Sequence, residues 1–249
     1  MLHISKQKNH ETYTFLAVLG LAIGFGLNAQ NVTVPQLGGD APSFKAKSTE
    51  GVVKFPGDYG NKWKILLSHP KDFTPVCSSE ILDLAKEKDQ FDKLGAQLVV
   101  VSADVLDQHY SWKAAMEEIA FEGDGPYKVD FPLVDDSNHK ISKLYGMMHM
   151  ATSDIRNIRG VFFVDPDNKI KSIQFYPMEV GRSTGELIRT LQALQKTYAQ
   201  NNLATPVNWK PGDDLIVTVL SETEKQNLNS IDSPYYQKAW FLTYKKFVN

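Results

Sequence analysis

The residue pattern predicts an α/β fold: a central mixed sheet flanked by helices, with a small C-terminal subdomain. Three observations carry this expectation. Short apolar runs of strand length alternate with stretches of helical periodicity, the arrangement of an α/β sheet. A late pair of apolar runs, residues 160–164 and 169–176, flanks Asp165-Pro166-Asp167-Asn168. That is a hairpin signal, and it makes the sheet mixed rather than purely parallel. From about Ala204 the character changes: Pro206, Trp209, Pro211 and Gly212 mark a boundary, and a strongly aromatic tail follows.

The elements are read in chain order. Residues 32–40, with Pro35 and Gly38-Gly39, read as a linker. Residues 63–68 (WKILLS) form a buried strand that runs into a loop punctuated by Pro70 and Pro75. Ile81, Leu84, Ala85, Phe91 and Leu94 then fall near helical spacing, which places Cys77 in or just before a first helical turn, with Gly95 as the stop. Residues 97–103 (QLVVVSA) are the next buried strand, and Asp107 opens a helix through Ile119. Residues 121–127 are loop, residues 131–134 a short strand, and residues 139–145 a short helix. After the hairpin, Ser183-Thr184-Gly185-Glu186 spells a capping box. The helix it opens places Leu187, Leu191, Leu194 and Tyr198 on one face. Residues 215–220 read as a strand. The tail carries Tyr235, Tyr236, Trp240, Phe241, Tyr244 and Phe247 and must pack on something.

The chain has 249 residues, 42% of them hydrophobic, enough for a substantial core. With 27 Lys+Arg against 29 Asp+Glu, the balance argues against recruitment by nucleic acid or an anionic membrane surface. Lys6 and Lys8 precede an uncharged apolar run over residues 15–27, shorter than the roughly 20 residues of a membrane span. This predicts a secretory signal over residues 1–29 with cleavage after Ala29, and hence a periplasmic or otherwise extracytoplasmic protein. The alternative is an uncleaved anchor using residues 12–29. Residues 30–203 then form the main domain and residues 204–249 the C-terminal subdomain, expected to contribute to a homodimer or larger homo-oligomer.

Cys77 is the one cysteine, which excludes an intramolecular disulfide and a zinc site built on two or more thiolates. In an exported chain, where cysteines usually come in pairs, a single thiol suggests chemistry. A cysteine that follows a strand and a loop and opens a helix sits where backbone N–H groups point outward and favour a thiolate. Pro70 and Pro75 stiffen the loop, Thr74 offers a hydroxyl, and His69 and Lys71 add nearby positive charge. His139 and His149, without a neighbouring thiolate or clustered carboxylates, do not form a metal site; no metal or other cofactor is expected.

The run His69-Pro70-Lys71-Asp72-Phe73-Thr74-Pro75-Val76-Cys77 closely resembles the peroxiredoxin active-site loop, whose core is Pro-x-x-x-Thr-x-x-Cys. Extended from Ser68 to Glu80, it looks like the one-Cys, peroxiredoxin-six branch of that superfamily. Residues 37–44, 131–136, 159–167, 176–182 and 204–209 continue the resemblance in order. It implies a thioredoxin-like fold and a thiol-dependent peroxidase in antioxidant defence, with peroxide as substrate and an external thiol, protein or small molecule, as reductant. In that scheme Cys77 attacks the peroxide and becomes a sulfenic acid. Arg159 is the cation at the reacting atoms, Thr74 hydrogen-bonds the peroxide and Pro70 shields the sulfur. Arg182 buttresses Arg159, His69 assists reduction or proton handling, and Glu80 fits the first turn of a helix. The alternative is a peroxide sensor or holdase using the same thiol without turnover. A Cys77–His69 acyl-transfer site would need a third group to orient the base, and none is evident in the sequence. The lipase-like Gly-x-Ser-x-Gly of some members reads Gly60-Asn61-Lys62-Trp63-Lys64 here, so that second activity is not carried over.

Overall fold

The computed structural model describes residues 34–228 and 230–247; the expected signal segment lies outside them. The main sheet has seven strands: β1 (Phe44–Ser48), β2 (Gly51–Phe55), β3 (Trp63–Ser68), β4 (Ala96–Ser102), β5 (Leu133–Asp135), β6 (Arg159–Val164) and β7 (Ile170–Tyr176). Their spatial order is β2-β1-β5-β4-β3-β6-β7. β4 is parallel to both β3 and β5, and the remaining pairings are antiparallel. The sheet is therefore mixed, as expected.

All six residues of β3 are buried, because the strand lies inside the sheet and both faces are covered. The strand period separates its side chains. Ile65 and Leu67 join the core on one face with Ile81, Trp112 and Leu187, while Leu66 joins Tyr145 and Phe162 on the other. The covering helices are α1 (Pro75–Lys86), α2 (Lys88–Lys93), α3 (Leu106–Met116), α4 (Lys140–Leu144) and α5 (Thr184–Ala199).

In the main domain one hairpin is new, and three expectations change in detail. The β1–β2 hairpin, which turns at Gly51 with φ 89°, has no counterpart in the periodicity, since its outer face alternates with solvent. The segment between Cys77 and Gly95 divides into α1 and α2 at Glu87, although Gly95 does end it with φ 64°. The helix opened by Asp107 ends at Met116, short of Ile119. The capping box at Ser183 is only half formed. Ser183 Oγ accepts from Glu186 N–H, but the Glu186 carboxylate is captured by Arg189 and Thr190. The complete box is at Ser221–Glu224, opening α6 (Glu222–Asn227).

A second, antiparallel sheet of order β10-β11-β9-β8 is built from β8 (Leu203–Ala204), β9 (Leu215–Val217), β10 (Tyr235–Ala239) and β11 (Leu242–Lys245). The β9 strand stops three residues before the expected Leu220. Leu203, Trp209, Leu215 and Val217 form its core against Ala193 of α5, within the same compact unit as the main sheet. Tyr236 and Tyr244 of the tail stack at 5.2 Å, whereas Trp240 and Phe241 at the hairpin turn stay exposed. Among the described residues no helix is long and apolar enough to cross a membrane.

Candidate active site

The loop after β3 is set by local chemistry. His69 N–H extends the strand pairing by one bond, to Val101 C=O at 3.1 Å. Pro70 is buried, and Phe73 takes φ 56°, a conformation that costs a bulky residue roughly 1–3 kcal/mol. Thr74 is the N-cap of α1 in an extended conformation, and Pro75 occupies the first helical position, where its missing N–H costs nothing. The Thr74 hydroxyl donates to Lys71 C=O at 2.8 Å, which leaves its lone pairs as acceptors. The first helical hydrogen bond runs from Ser78 N–H to Thr74 C=O, so the N–H groups of Val76 and Cys77 precede it. The Cys77 sulfur therefore lies in the positive first turn of α1, and the residue is 1% exposed.

Three buried charges surround it. Arg159 begins β6 and donates through Nη1 to Cys77 Sγ at 3.4 Å and to Glu80 Oε2 at 2.6 Å. Its Nε and Nη2 both donate to Met178 C=O, at 3.1 and 2.6 Å, so the guanidinium plane is fixed at two ends. Glu80 lies one helical turn beyond Cys77. It is past the first turn of α1, so the helix-dipole reading of this residue gives way to an ion-pair one. Its carboxylate also receives Arg182 Nη2 at 2.7 Å, Nε at 2.9 Å and backbone N–H at 2.7 Å. Burial alone would raise the Glu80 carboxyl. The charge and hydrogen bonds of Arg182, with the charge of Arg159, outweigh it and hold the group below its usual value.

Arg182 buttresses Arg159 through Glu80 rather than by direct hydrogen bonding. Its Nη1 donates to Ser68 C=O and Gly160 C=O at 2.9 and 3.0 Å, which ties the end of β3 to the start of β6. Gly160 permits this approach: a Cβ there would meet Ser68 Oγ at 3.1 Å. Two arginines and one carboxylate leave one net positive charge beside the sulfur, the complement of a thiolate.

His69 does not add an exposed positive charge to the loop. It is buried, and its Nε2 pairs with Asp72 Oδ1 at 2.8 Å; Asp72 Oδ2 in turn pairs with His109 Nδ1 at 2.7 Å. Asp72 is the orienting third group that the sequence did not reveal. The spacing of His69 and Asp72 within one loop could have suggested their pairing; His109, on α3, has no such signal. Burial would raise the Asp72 carboxyl, but the hydrogen bonds from His109 and His69 lower it from 3.8 to about 2. A folded value below the unfolded one stabilises the fold above the unfolded value, and the contribution is lost as pH falls through about 2. The shift corresponds to about 2 kcal/mol. Asp72→Asn is therefore expected to flatten the loss of stability between about pH 4 and pH 2. Urea unfolding across that range checks this, and parallel pH dependences for the two proteins would refute it.

The ligand atoms of His69, Asp72 and Asp104 lie within 4.8 Å of one another. They are engaged in hydrogen bonds among themselves and with Ser102 and Gln108, and they form no open metal site. The geometry as a whole is a shielded sulfur at a helix start, one fixed cation on it, and the free N–H groups of the first helical turn. Such a set can stabilise negative charge on the sulfur and on an oxygen leaving it.

Known proteins resemble most of the chain. The model of the AhpC/TSA family matches residues 37–173, and that of the C-terminal domain of 1-Cys peroxiredoxin matches residues 193–229. A peroxiredoxin of Methanosarcina mazei is 38% identical over 216 residues, 86% of this chain and 98% of the relative. Among solved structures, a cysteine-to-serine mutant of peroxiredoxin 6 of Arenicola marina superposes with a TM-score of 0.74 at 31% identity. It covers 85% of this chain and 97% of the other. A yeast mitochondrial 1-Cys peroxiredoxin, described with a thiol-resolving mechanism via glutathione/thioredoxin systems, gives 0.72 at 33%, covering 85% and 99%.

Proposed function

The chain belongs to the AhpC/TSA family as a one-Cys peroxiredoxin, a thiol-dependent peroxidase of thioredoxin-like fold, and on that premise we propose that Cys77 is the sulfur that peroxide oxidises. The supporting observation is the Arg159 guanidinium, 3.4 Å from Cys77 Sγ and anchored by Glu80 and Met178. The thiolate attacks the terminal oxygen of hydrogen peroxide or an organic hydroperoxide. An S–O bond forms, the O–O bond breaks, and the other oxygen leaves as water or alcohol after taking a proton; sulfur is oxidised and peroxide reduced. Arg159 stabilises charge on sulfur and oxygen together. Thr74 accepts a hydrogen bond from the peroxide, Pro70 and the buried setting keep bulk water off, and Glu80 and Arg182 hold Arg159.

An external thiol completes the cycle, since the chain has no second cysteine to attack the sulfenic acid. A thioredoxin-like protein or a small thiol fits this role. With one equivalent of peroxide and no reductant, mass spectrometry is expected to show a single added oxygen on a monomeric polypeptide, and excess peroxide a second. Near-quantitative Cys77–Cys77 dimers on non-reducing gels would sink the one-Cys cycle.

We also propose a homodimer formed through the second sheet, on whose β10–β11 turn Trp240 and Phe241 are 87% and 71% exposed. Export with cleavage after Ala29 completes the reading. N-terminal sequencing of protein from the native host is expected to begin at Gln30, and soluble cytosolic material retaining Met1 would overturn it.

A further inference from the structure

Beneath the active-site loop lies a buried chain of groups, none of which the oxidation step described above uses. His69 Nε2 faces Asp72 Oδ1 at 2.8 Å, Asp72 Oδ2 faces His109 Nδ1 at 2.7 Å, and His109 Nε2 faces Val134 C=O at 3.2 Å. All three side chains are at most 1% exposed. The remaining ring nitrogen, His69 Nδ1, is buried without a hydrogen-bond partner. The His69 ring packs on Trp112 with centroids 5.0 Å apart, and Trp112 Nε1 donates to Ser78, the residue after Cys77.

Donor and acceptor counting sets the hydrogens. A carbonyl only accepts, and an ionised carboxylate only accepts. His109 lies between one of each, so its ring makes both bonds only with a hydrogen on both nitrogens. His69 must place a hydrogen on Nε2 to bond Asp72, and in the neutral ring that leaves Nδ1 as a bare lone pair. The positive His109 ring and negative Asp72 neutralise each other, so burying the pair leaves no uncompensated charge. The other charged groups around His109 are Asp135 of β5, whose carboxylate takes Leu106 N–H at 3.1 Å, and Asp104, which takes Asp72 N–H at 2.8 Å.

We propose that His109 is a positioning residue for the peroxidase cycle: bridging Asp72 and the Val134 carbonyl, it fixes His69 in the tautomer whose Nδ1 is free to take a proton. The proposal rests on the peroxidase reading of Cys77. In the reducing half-cycle the thiol R–SH gives its proton to His69 Nδ1 and its sulfur attacks Cys77 Sγ. The S–O bond of the sulfenic acid breaks, and the departing oxygen recovers the proton as water. The products are a mixed disulfide and water, with atoms and electrons in balance.

The first test is the hydrogen pattern itself. Long-range proton–nitrogen correlation spectra of histidine-labelled, reduced protein at neutral pH are expected to show His69 protonated on Nε2 alone and His109 on both nitrogens. A His69 hydrogen on Nδ1, or a singly protonated His109, overturns the proposal. The second test is kinetic, with dithiothreitol as the reducing thiol and tryptophan fluorescence as the readout. His109→Leu is expected to slow reduction of the sulfenic acid about 10-fold or more, within the 10²–10⁴-fold that a positioned proton-transfer group supplies. It should also shift the pH profile of that step while leaving oxidation by peroxide near the wild-type rate. His109→Asn, whose amide can still donate to Asp72, should recover most of the loss. An unchanged rate and pH profile in His109→Leu would refute the positioning role, and if that variant does not fold, the wild-type spectrum still decides. Absence of peroxide turnover in the wild type would instead remove the peroxidase reading, whatever the spectrum shows.

Discussion

Cys77→Ser protein is expected to fold normally and to consume hydrogen peroxide no faster than the uncatalysed reaction. The two side chains are close in size, and Arg159 Nη1, now 3.4 Å from the sulfur, can donate to a serine oxygen instead. The buried site therefore loses neither packing nor a partner. What disappears is the nucleophile: a thiolate attacks peroxide, whereas a serine hydroxyl is not ionised near neutral pH and has no counterpart of the sulfenic acid stage. Peroxide consumption with a thiol donor, alongside thermal unfolding, measures both halves. Wild-type turnover by the serine protein would remove Cys77 from the mechanism.

Arg159→Ala is expected to slow oxidation of Cys77 by roughly 100-fold or more, the scale of losing one preorganised donor to developing charge. The surrounding ion pairs explain why the loss should fall on rate before stability. Glu80 keeps three hydrogen bonds from Arg182, so its carboxylate is not stranded when Arg159 is cut back. The cluster meanwhile falls from one net positive charge to zero, and the thiolate loses its complement. Arg159→Lys should lie between, because an ammonium cannot span Met178, Glu80 and Cys77 with the fork that a guanidinium provides. Arg182→Ala should behave differently. It strips Glu80 of two of its four hydrogen bonds and of one of its two cations, and removes the guanidinium bridge between the Ser68 and Gly160 carbonyls, so its cost is mainly in stability, about 3–5 kcal/mol, with a smaller effect on the oxidation rate. Stopped-flow oxidation with urea unfolding separates the two, and an unchanged rate in Arg159→Ala would exclude that residue from the site.

Much of the fold was legible in the chain because its signals are local. The run WKILLS is apolar throughout because β3 is covered on both faces. Pro75 and Gly95 bracket the helical segment after the loop through their own backbone limits. The β1–β2 hairpin was not legible, since lysines alternate along an edge that solvent reaches and the apolar count stays low. At Ser183 the local pattern was correct about the cap and wrong about the box, because a nearby arginine competed for the glutamate.

The sequence by itself determined the chemistry available: one cysteine, placed by a proline-bounded loop at the start of a helix, within an ordered series of segments that match one family. The tertiary structure alone decided how that chemistry is held. Glu80, Arg159 and Arg182 are far apart along the chain, and the choice of Glu80 as the link between the two arginines depends on where β3, β6 and the loop after β7 converge. His109 reaches Asp72 for the same reason, by the packing of α3 against the loop before α1. Side-chain charge is written in the residue, but the partner that compensates it on burial is chosen by contacts between distant segments, and no local periodicity encodes those.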